Sequence, residues 1–122
     1  MAVGDIKGDE AIVIPVTPGE NITKGQVIDC SANGTYFISA DTSVGKFAVA
    51  IEDMVSGTDG DAIIWGRVEV LTTADIFAGQ NAEADAAGTI KVAAYGAIGE
   101  VVGTLPDDIG SAAVGTIWVG LM

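Results

Sequence analysis

The stretch Asp61-Ala-Ile-Ile-Trp-Gly-Arg-Val-Glu-Val-Leu71 reads face by face as a β-strand. Successive side chains of an extended chain point to opposite sides. Ala62, Ile64, Gly66, Val68 and Val70 therefore share a uniformly apolar face, which is expected in a core. Ile63, Trp65, Arg67, Glu69 and Leu71 share the other, where an indole stands between apolar, cationic and anionic neighbours. Trp and Arg together are over-represented at the centres of protein interfaces. Trp65, Arg67 and Glu69 are accordingly candidate interface residues, against the plain alternative that a loop covers Trp65.

Outward from this strand, helical periodicity is almost absent. Short Val- and Ile-rich runs broken by Gly, Asn, Asp and Pro recur about every ten residues, the pattern of an antiparallel barrel or sandwich. The expected strands are Ala11 to Thr17, Gln26 to Cys30, Thr35 to Ser39, Lys46 to Met54, Asp61 to Leu71, Asn81 to Asp85, Thr89 to Ala93, Ile98 to Leu105 and Gly115 to Leu121. Asn33-Gly34 tolerates the positive φ that a tight hairpin demands, and Ala87-Gly88 is a weaker version of the same signal. The one helical candidate is a short turn near Thr73 to Phe77, which Thr73 or Asp75 could cap.

The chain also echoes itself. Ala11 to Val68 laid over Trp65 to Met122, an offset of 54 residues without a gap, gives twelve identities. They include Val16/Val70, Ile22/Ile76, Gly25/Gly79, Gln26/Gln80, Gly34/Gly88 and Gly66/Gly120. Chance would give roughly five in a chain of this composition. Matched glycines fall at turns and matched aliphatics between them, so a strand-and-turn plan recurs. The expectation is an all-β fold, a compact antiparallel barrel or sandwich built from two similar halves. Units of this length bury too little surface alone, so the halves are expected to share a core within one domain, residues 11–122. The echo sets Trp118 against Ile64, on the apolar face, which predicts a structural role for it. Residues 1–10 lie outside the echo. They are either a frayed end or an arm that pairs as an added strand with a neighbouring chain, with Ala2, Val3, Ile6 and Lys7 as contact residues. An arm of this kind could be removed, over Ala2 to Asp9, without loss of the fold.

Composition narrows the function. Seventeen acidic residues against five basic ones, Lys7, Lys24, Lys46, Arg67 and Lys91, give a formal charge of -12. Binding to nucleic acid requires clustered cations, and anionic membranes repel such a surface. No apolar run approaches the roughly 18 residues of a membrane span, and the first ten residues lack the apolar stretch of a signal peptide. Neither nucleic acid nor membrane is expected as a partner. Cys30 alone permits no internal disulfide, and its strand setting predicts a buried, inert thiol.

The chain has no histidine, which removes the common zinc sites and the usual base for a nucleophile. Asp53, Asp59, Asp61, Asp107 and Asp108 sit in or beside predicted turns, where Asp serves the backbone. Asp59-Gly-Asp61 lacks the spacing of an EF-hand, leaving at most a weak surface cation site. Gly45-Lys46 lacks the upstream glycine of a phosphate loop. The reading is of a protein with no catalytic residues, no cofactor and no metal.

Ile22-Thr-Lys-Gly-Gln-Val-Ile28, Ser56-Gly-Thr-Asp-Gly-Asp-Ala-Ile-Ile-Trp-Gly-Arg-Val68, Ile76-Phe-Ala-Gly-Gln80 and Gly115-Thr-Ile-Trp-Val-Gly-Leu121, in that order, resemble the small capsid decoration (cement) proteins of tailed bacteriophages and related archaeal viruses. The resemblance runs from about Ala11 to the end of the chain. It implies a β-barrel-like structural protein of the virion, made in the host cytoplasm, that binds the major capsid protein on the outer surface of the mature capsid and stabilises it, often as a homotrimer. The strong acidity and the paired tryptophans depart from that pattern. A second reading is a carrier of the lipoyl or biotinyl type, or a small-molecule binding β module. Lys24, Lys46 or Lys91 would then carry the group, although none has the flanking residues such a site uses. A third is a glycosidase-like enzyme working through acidic pairs.

Overall fold

A computed structural model describes residues 3–32, 34–40, 47–73, 75–92, 101–104, 106, 109–110 and 113–120. Nine strands run in chain order: β1 (Ile6–Pro18), β2 (Val27–Ala32), β3 (Thr35–Ile38), β4 (Phe47–Ala50), β5 (Gly60–Leu71), β6 (Asn81–Ala84), β7 (Ile90–Val92), β8 (Val101–Thr104) and β9 (Val114–Val119). Each predicted strand has its counterpart. The helical element among the described residues is a 3₁₀ turn, Ala86–Gly88, capped by the Asp85 carboxylate on Ala86 N–H. The expected turn at 73–77 is not helical at Thr73, Asp75, Ile76 or Phe77, and Ile76 instead bridges Ile109.

The strands form one mixed sheet in the order β1-β3-β2-β4-β5-β9-β8-β6-β7, and β1 also pairs with β5. That pairing closes the first five strands into a ring. It is antiparallel except where β1 meets β3 in parallel, Thr17 opposite Thr35. A bent strand is needed to reach two neighbours, and β1 carries register shifts between Lys7 and Ala11 and between Ile12 and Val13. The hairpin tip between β2 and β3 has Gly34 at φ +78°, as the Asn-Gly signal predicts; Asn33 itself lies outside the described residues.

Strand β5 belongs to both ends of the sheet. Its first half pairs with β1 and β4, and its second half, Gly66 to Leu71, pairs with β9 and, from Gly66 to Val68, with β1 as well. Gly66 sits between them at φ +128°, where a side chain would be strained. The turn of direction splits the predicted apolar face. Ala62 belongs to one buried cluster with Val16, Ile22, Ile28, Ala48 and Met54, and half-buried Ile64 packs against it. Val68 and Val70 belong to a larger cluster with Ile76, Ala82, Ile90, Val102, Ile117 and Val119.

The expected single core is thus two clusters. The halves still meet, because the larger one also takes in Val27, Val49 and Ile63 from the outer side of the first ring. This explains Ile63, which the alternation puts on the mixed face and which is fully buried. The second half covers that side of the first. Cys30 is half-buried rather than buried, opposite Tyr36. Burial, and then the charge of the neighbouring thiolate, raise the Tyr36 hydroxyl above its ordinary pKa.

Candidate interaction surface

From Gly66 to Val68 strand β5 pairs with β1 along one edge and with β9 along the other. Ile12 is opposite Trp65, Lys7 opposite Arg67 on one side, and Trp118 opposite Arg67 on the other. Trp65 and Trp118 stand edge to face, 5.2 Å between ring centroids at 87°. Arg67 places its guanidinium carbon 5.8 Å from the centre of the Trp118 ring. Such contacts are worth about 0.5–1.5 kcal/mol for the ring pair and about 0.5–1 kcal/mol for an exposed cation on a ring. They hold two half-buried indoles in one orientation beside exposed Arg67 and beside Ile12, which is 51% exposed. The result is a rigid apolar and aromatic patch with one cation on it.

Two sequence expectations for this patch change. Trp118, expected on the core face, is half-buried beside Trp65; Ile117 and Val119 are the core residues of β9. Glu69, expected beside Arg67 as an outward contact, is 1% exposed. The N-terminal segment runs beside its backbone. Gly4 N–H donates to Glu69 O at 2.7 Å and Glu69 N–H to Asp5 O at 3.0 Å, so residues 4 and 5 lie alongside it. Glu69 therefore leaves the candidate surface.

The same segment revises the predicted arm. Strand β1 begins at Ile6, so it crosses the expected boundary at residue 10. Ile6 and Lys7 pair with Val68 and Arg67 of their own chain. Val3 packs on Gly25, and Asp5 pairs with the Lys24 ammonium at 2.9 Å. Ala2 lies outside the described residues. Removing Ala2 to Asp9 would strip hydrogen bonds and packing from β5 and from the 23–26 turn, so the deletion is not neutral to the fold.

Sequence reading missed a second surface. Phe77 is 56% exposed at the tip of the turn Ile76–Gln80, where the echoed position in the first half is the polar Thr23. That mismatch, a phenylalanine standing at a turn position where its partner is threonine, was the available signal.

Two of the candidate lysines are engaged. Lys24 pairs with Asp5, and Lys91 lies 3.6 Å from Glu83 and 3.9 Å from Asp85; Lys46 is outside the described residues. A carrier lysine must project freely from a hairpin tip, which neither Lys24 nor Lys91 does. A groove of about 250 Å³ runs along the seam between the halves, past Val3, Lys24, Gln26, Leu71 and Thr89. It falls below the usual size for a small-molecule site. Among the described residues no three Asp, Glu or Cys side chains converge to hold a metal ion. No helix of the described chain is long and apolar enough to cross a membrane.

The fold and this surface describe a β-structured protein whose conspicuous chemistry is an aromatic patch on a closed ring of strands. No protein-family model matches the chain, and no curated protein matches it. Among solved structures it is similar to the N base of the head fiber gp8.5 of bacteriophage phi29, with a TM-score of 0.67 at 15% identity. The similarity covers 91% of this chain and 95% of that one. At that identity what is shared is the fold.

Proposed function

We propose that this chain is a structural protein of a phage virion, seated on the outside of the head, where it binds the major capsid protein and stabilises the mature shell. The observation that carries the reading is the likeness of fold, along nearly the full length of both chains, to the base of a phage head fiber. The resemblance of four short motifs to capsid decoration proteins points the same way. The protein acts without catalysis, cofactor or metal, and as a homo-oligomer, with a trimer favoured.

The physics of such a role suits the surface described above. A protein that binds the mature shell more tightly than its precursor stabilises the mature shell by mass action. Several copies joined to one another, or each touching several capsid subunits, raise the effective concentration of every further contact, so modest interfaces suffice. Trp65, Trp118 and Ile12 supply a preordered apolar anchor with Arg67 at its rim, the composition favoured at interface centres. A charge of -12 keeps decorated particles apart and faces no packaged DNA, which is inside.

The test is occupancy on purified particles, measured by imaging and by co-sedimentation of added protein with undecorated heads. Trp65→Ala is expected to lower occupancy at least tenfold while its circular dichroism and melting profile remain those of a folded protein. Undiminished occupancy of that variant would reassign the docking face. Absence of the protein from particles at every stage of infection would end the proposal.

A further inference from the structure

Carboxylates outnumber cations in this chain by seventeen to five. Of the cations whose side chains are described, Lys24 pairs with Asp5 at 2.9 Å, and Lys91 lies 3.6 Å from Glu83 and 3.9 Å from Asp85. Arg67 differs. It is exposed, and among the described side chains it meets a ring and no carboxylate, its guanidinium carbon standing 5.8 Å from the centre of the Trp118 ring.

The surroundings of that guanidinium are apolar. Trp65 precedes it by two positions on the same face of β5, and Trp118 is directly opposite on β9. The two indoles stand edge to face at 5.2 Å, and Ile12, opposite Trp65 on β1, is 51% exposed. A protein surface that covers the indoles and Ile12 also takes water from Arg67. Removing water from a cation is costly unless a hydrogen-bonded anion replaces it. A wholly apolar partner would leave the charge buried and unpaired.

We propose that the capsid surface seated on this patch presents a carboxylate to Arg67, an Asp or Glu side chain set among apolar groups that pack on Trp65, Trp118 and Ile12. The guanidinium offers a planar fork of donors that a carboxylate accepts in two parallel hydrogen bonds, a match that the point charge of a lysine does not give. Contact with the Trp118 ring narrows the positions from which the fork donates, so less order is lost on docking. Charge then sets the register. A net charge of -12 repels an acidic surface as a whole. A partner carboxylate gains where it meets Arg67, and one displaced onto the acidic surface around the patch is rejected. The proposal rests on the reading of this patch as the capsid-docking face and adds the chemistry of what docks there.

The experiment measures binding of the purified full chain to undecorated heads by co-sedimentation, for the wild type, Arg67→Gln, Arg67→Lys and Trp65→Ala. Arg67→Gln is expected to bind at least about thirtyfold more weakly than the wild type, and Arg67→Lys about tenfold more weakly. Both are expected to melt within about 2 °C of the wild type and to keep its near-ultraviolet circular dichroism, as substitutions of an exposed side chain do. Heads whose surface carboxylates have been converted to methylamides, with shells intact by imaging, are expected to bind the wild type no better than ordinary heads bind Arg67→Gln. If Arg67→Gln binds like the wild type while Trp65→Ala does not, the patch docks without a carboxylate, and the proposal fails while the capsid reading stands. If Trp65→Ala also binds like the wild type, or the wild type does not bind heads at all, both fail. An Arg67→Lys variant as tight as the wild type, undiminished binding to the modified heads, or an Arg67→Gln variant that melts well below the wild type, as it would if Arg67 served its own fold, would each overturn the proposal.

Discussion

Among the described glycines of the second half, Gly103 is the position where an added methyl group meets backbone most closely. Strand β8 touches β9 through two residue pairs, Gly103 with Val119 and Thr104 with Trp118. A Cβ on Gly103 would overlap the Trp118 carbonyl oxygen and stand 2.9 Å from the Trp118 carbonyl carbon and 3.0 Å from Val119 Cα. All three atoms are backbone, so no rotamer change relieves the overlap and the strands must part. Parting them forfeits the ladder hydrogen bonds of two residue pairs, about 0.5–1 kcal/mol net each. It also wets part of Val119, worth about 1–2 kcal/mol. Gly103→Ala is therefore expected to cost about 2–4 kcal/mol. With an unfolding entropy of about 2.1 cal/mol/K per residue, that lowers the melting temperature by roughly 8–16 °C. Gly110→Ala is the control, because a Cβ there meets nothing within 4 Å and the backbone is outside the positive-φ region; it should change stability by less than about 0.5 kcal/mol. Differential scanning calorimetry of both variants decides the matter. If Gly103→Ala melts within about 2 °C of the wild type, β8 and β9 do not approach as described.

The two isoleucines of β5 separate alternation from packing: Ile63→Ala should cost about 2–5 kcal/mol in denaturant unfolding, and Ile64→Ala, at a half-buried site, markedly less. Ala87 is a non-glycine residue at φ +57°. A left-handed alanine costs about 1–2 kcal/mol and glycine's extra chain entropy about 0.5–1 kcal/mol, so Ala87→Gly should stabilise by about 0.5–1 kcal/mol, read as a rise in the urea midpoint. The Asp85 carboxylate is held below its ordinary pKa, first by the Thr73 hydroxyl at 2.6 Å, then, against the opposing effect of burial, by Ala86 N–H and Lys91. A depressed folded pKa gives stability that is present above the unfolded value of 3.8 and is lost as pH falls through the folded value. Thr73→Val should therefore weaken the protein at neutral pH and flatten the loss of stability on acidification below about pH 4, measured as unfolding free energy against pH.

Much of the architecture can be read in the sequence because its determinants are local. Alternation in Asp61 to Leu71, breaker clusters between Val- and Ile-rich runs, and glycines where φ must be positive act over a few residues, so the positions of all nine strands follow from them. The tip at Gly34 is the plainest case, since the conformation it needs is one that few residues adopt at low cost. Trp65 and Arg67 were visible as a candidate contact for a similarly local reason: the period of two puts them on one face.

What tertiary structure alone decided is which faces meet. Ile63 lies on the face that alternation makes mixed, and only the packing of the second half against the first ring buries it. Glu69 and Arg67 share a face in the sequence, yet in the folded chain one is buried and the other exposed. Trp118 becomes a surface partner of Trp65 because β9 pairs with β5 in a register that sets it opposite Arg67. Each outcome depends on contacts between residues far apart in the chain, whose pairing is chosen by the summed burial of two clusters and by the bends in β1 and β5. A residue's neighbours along the chain determine how its backbone runs, and the neighbours folding brings to it determine whether its side chain meets water.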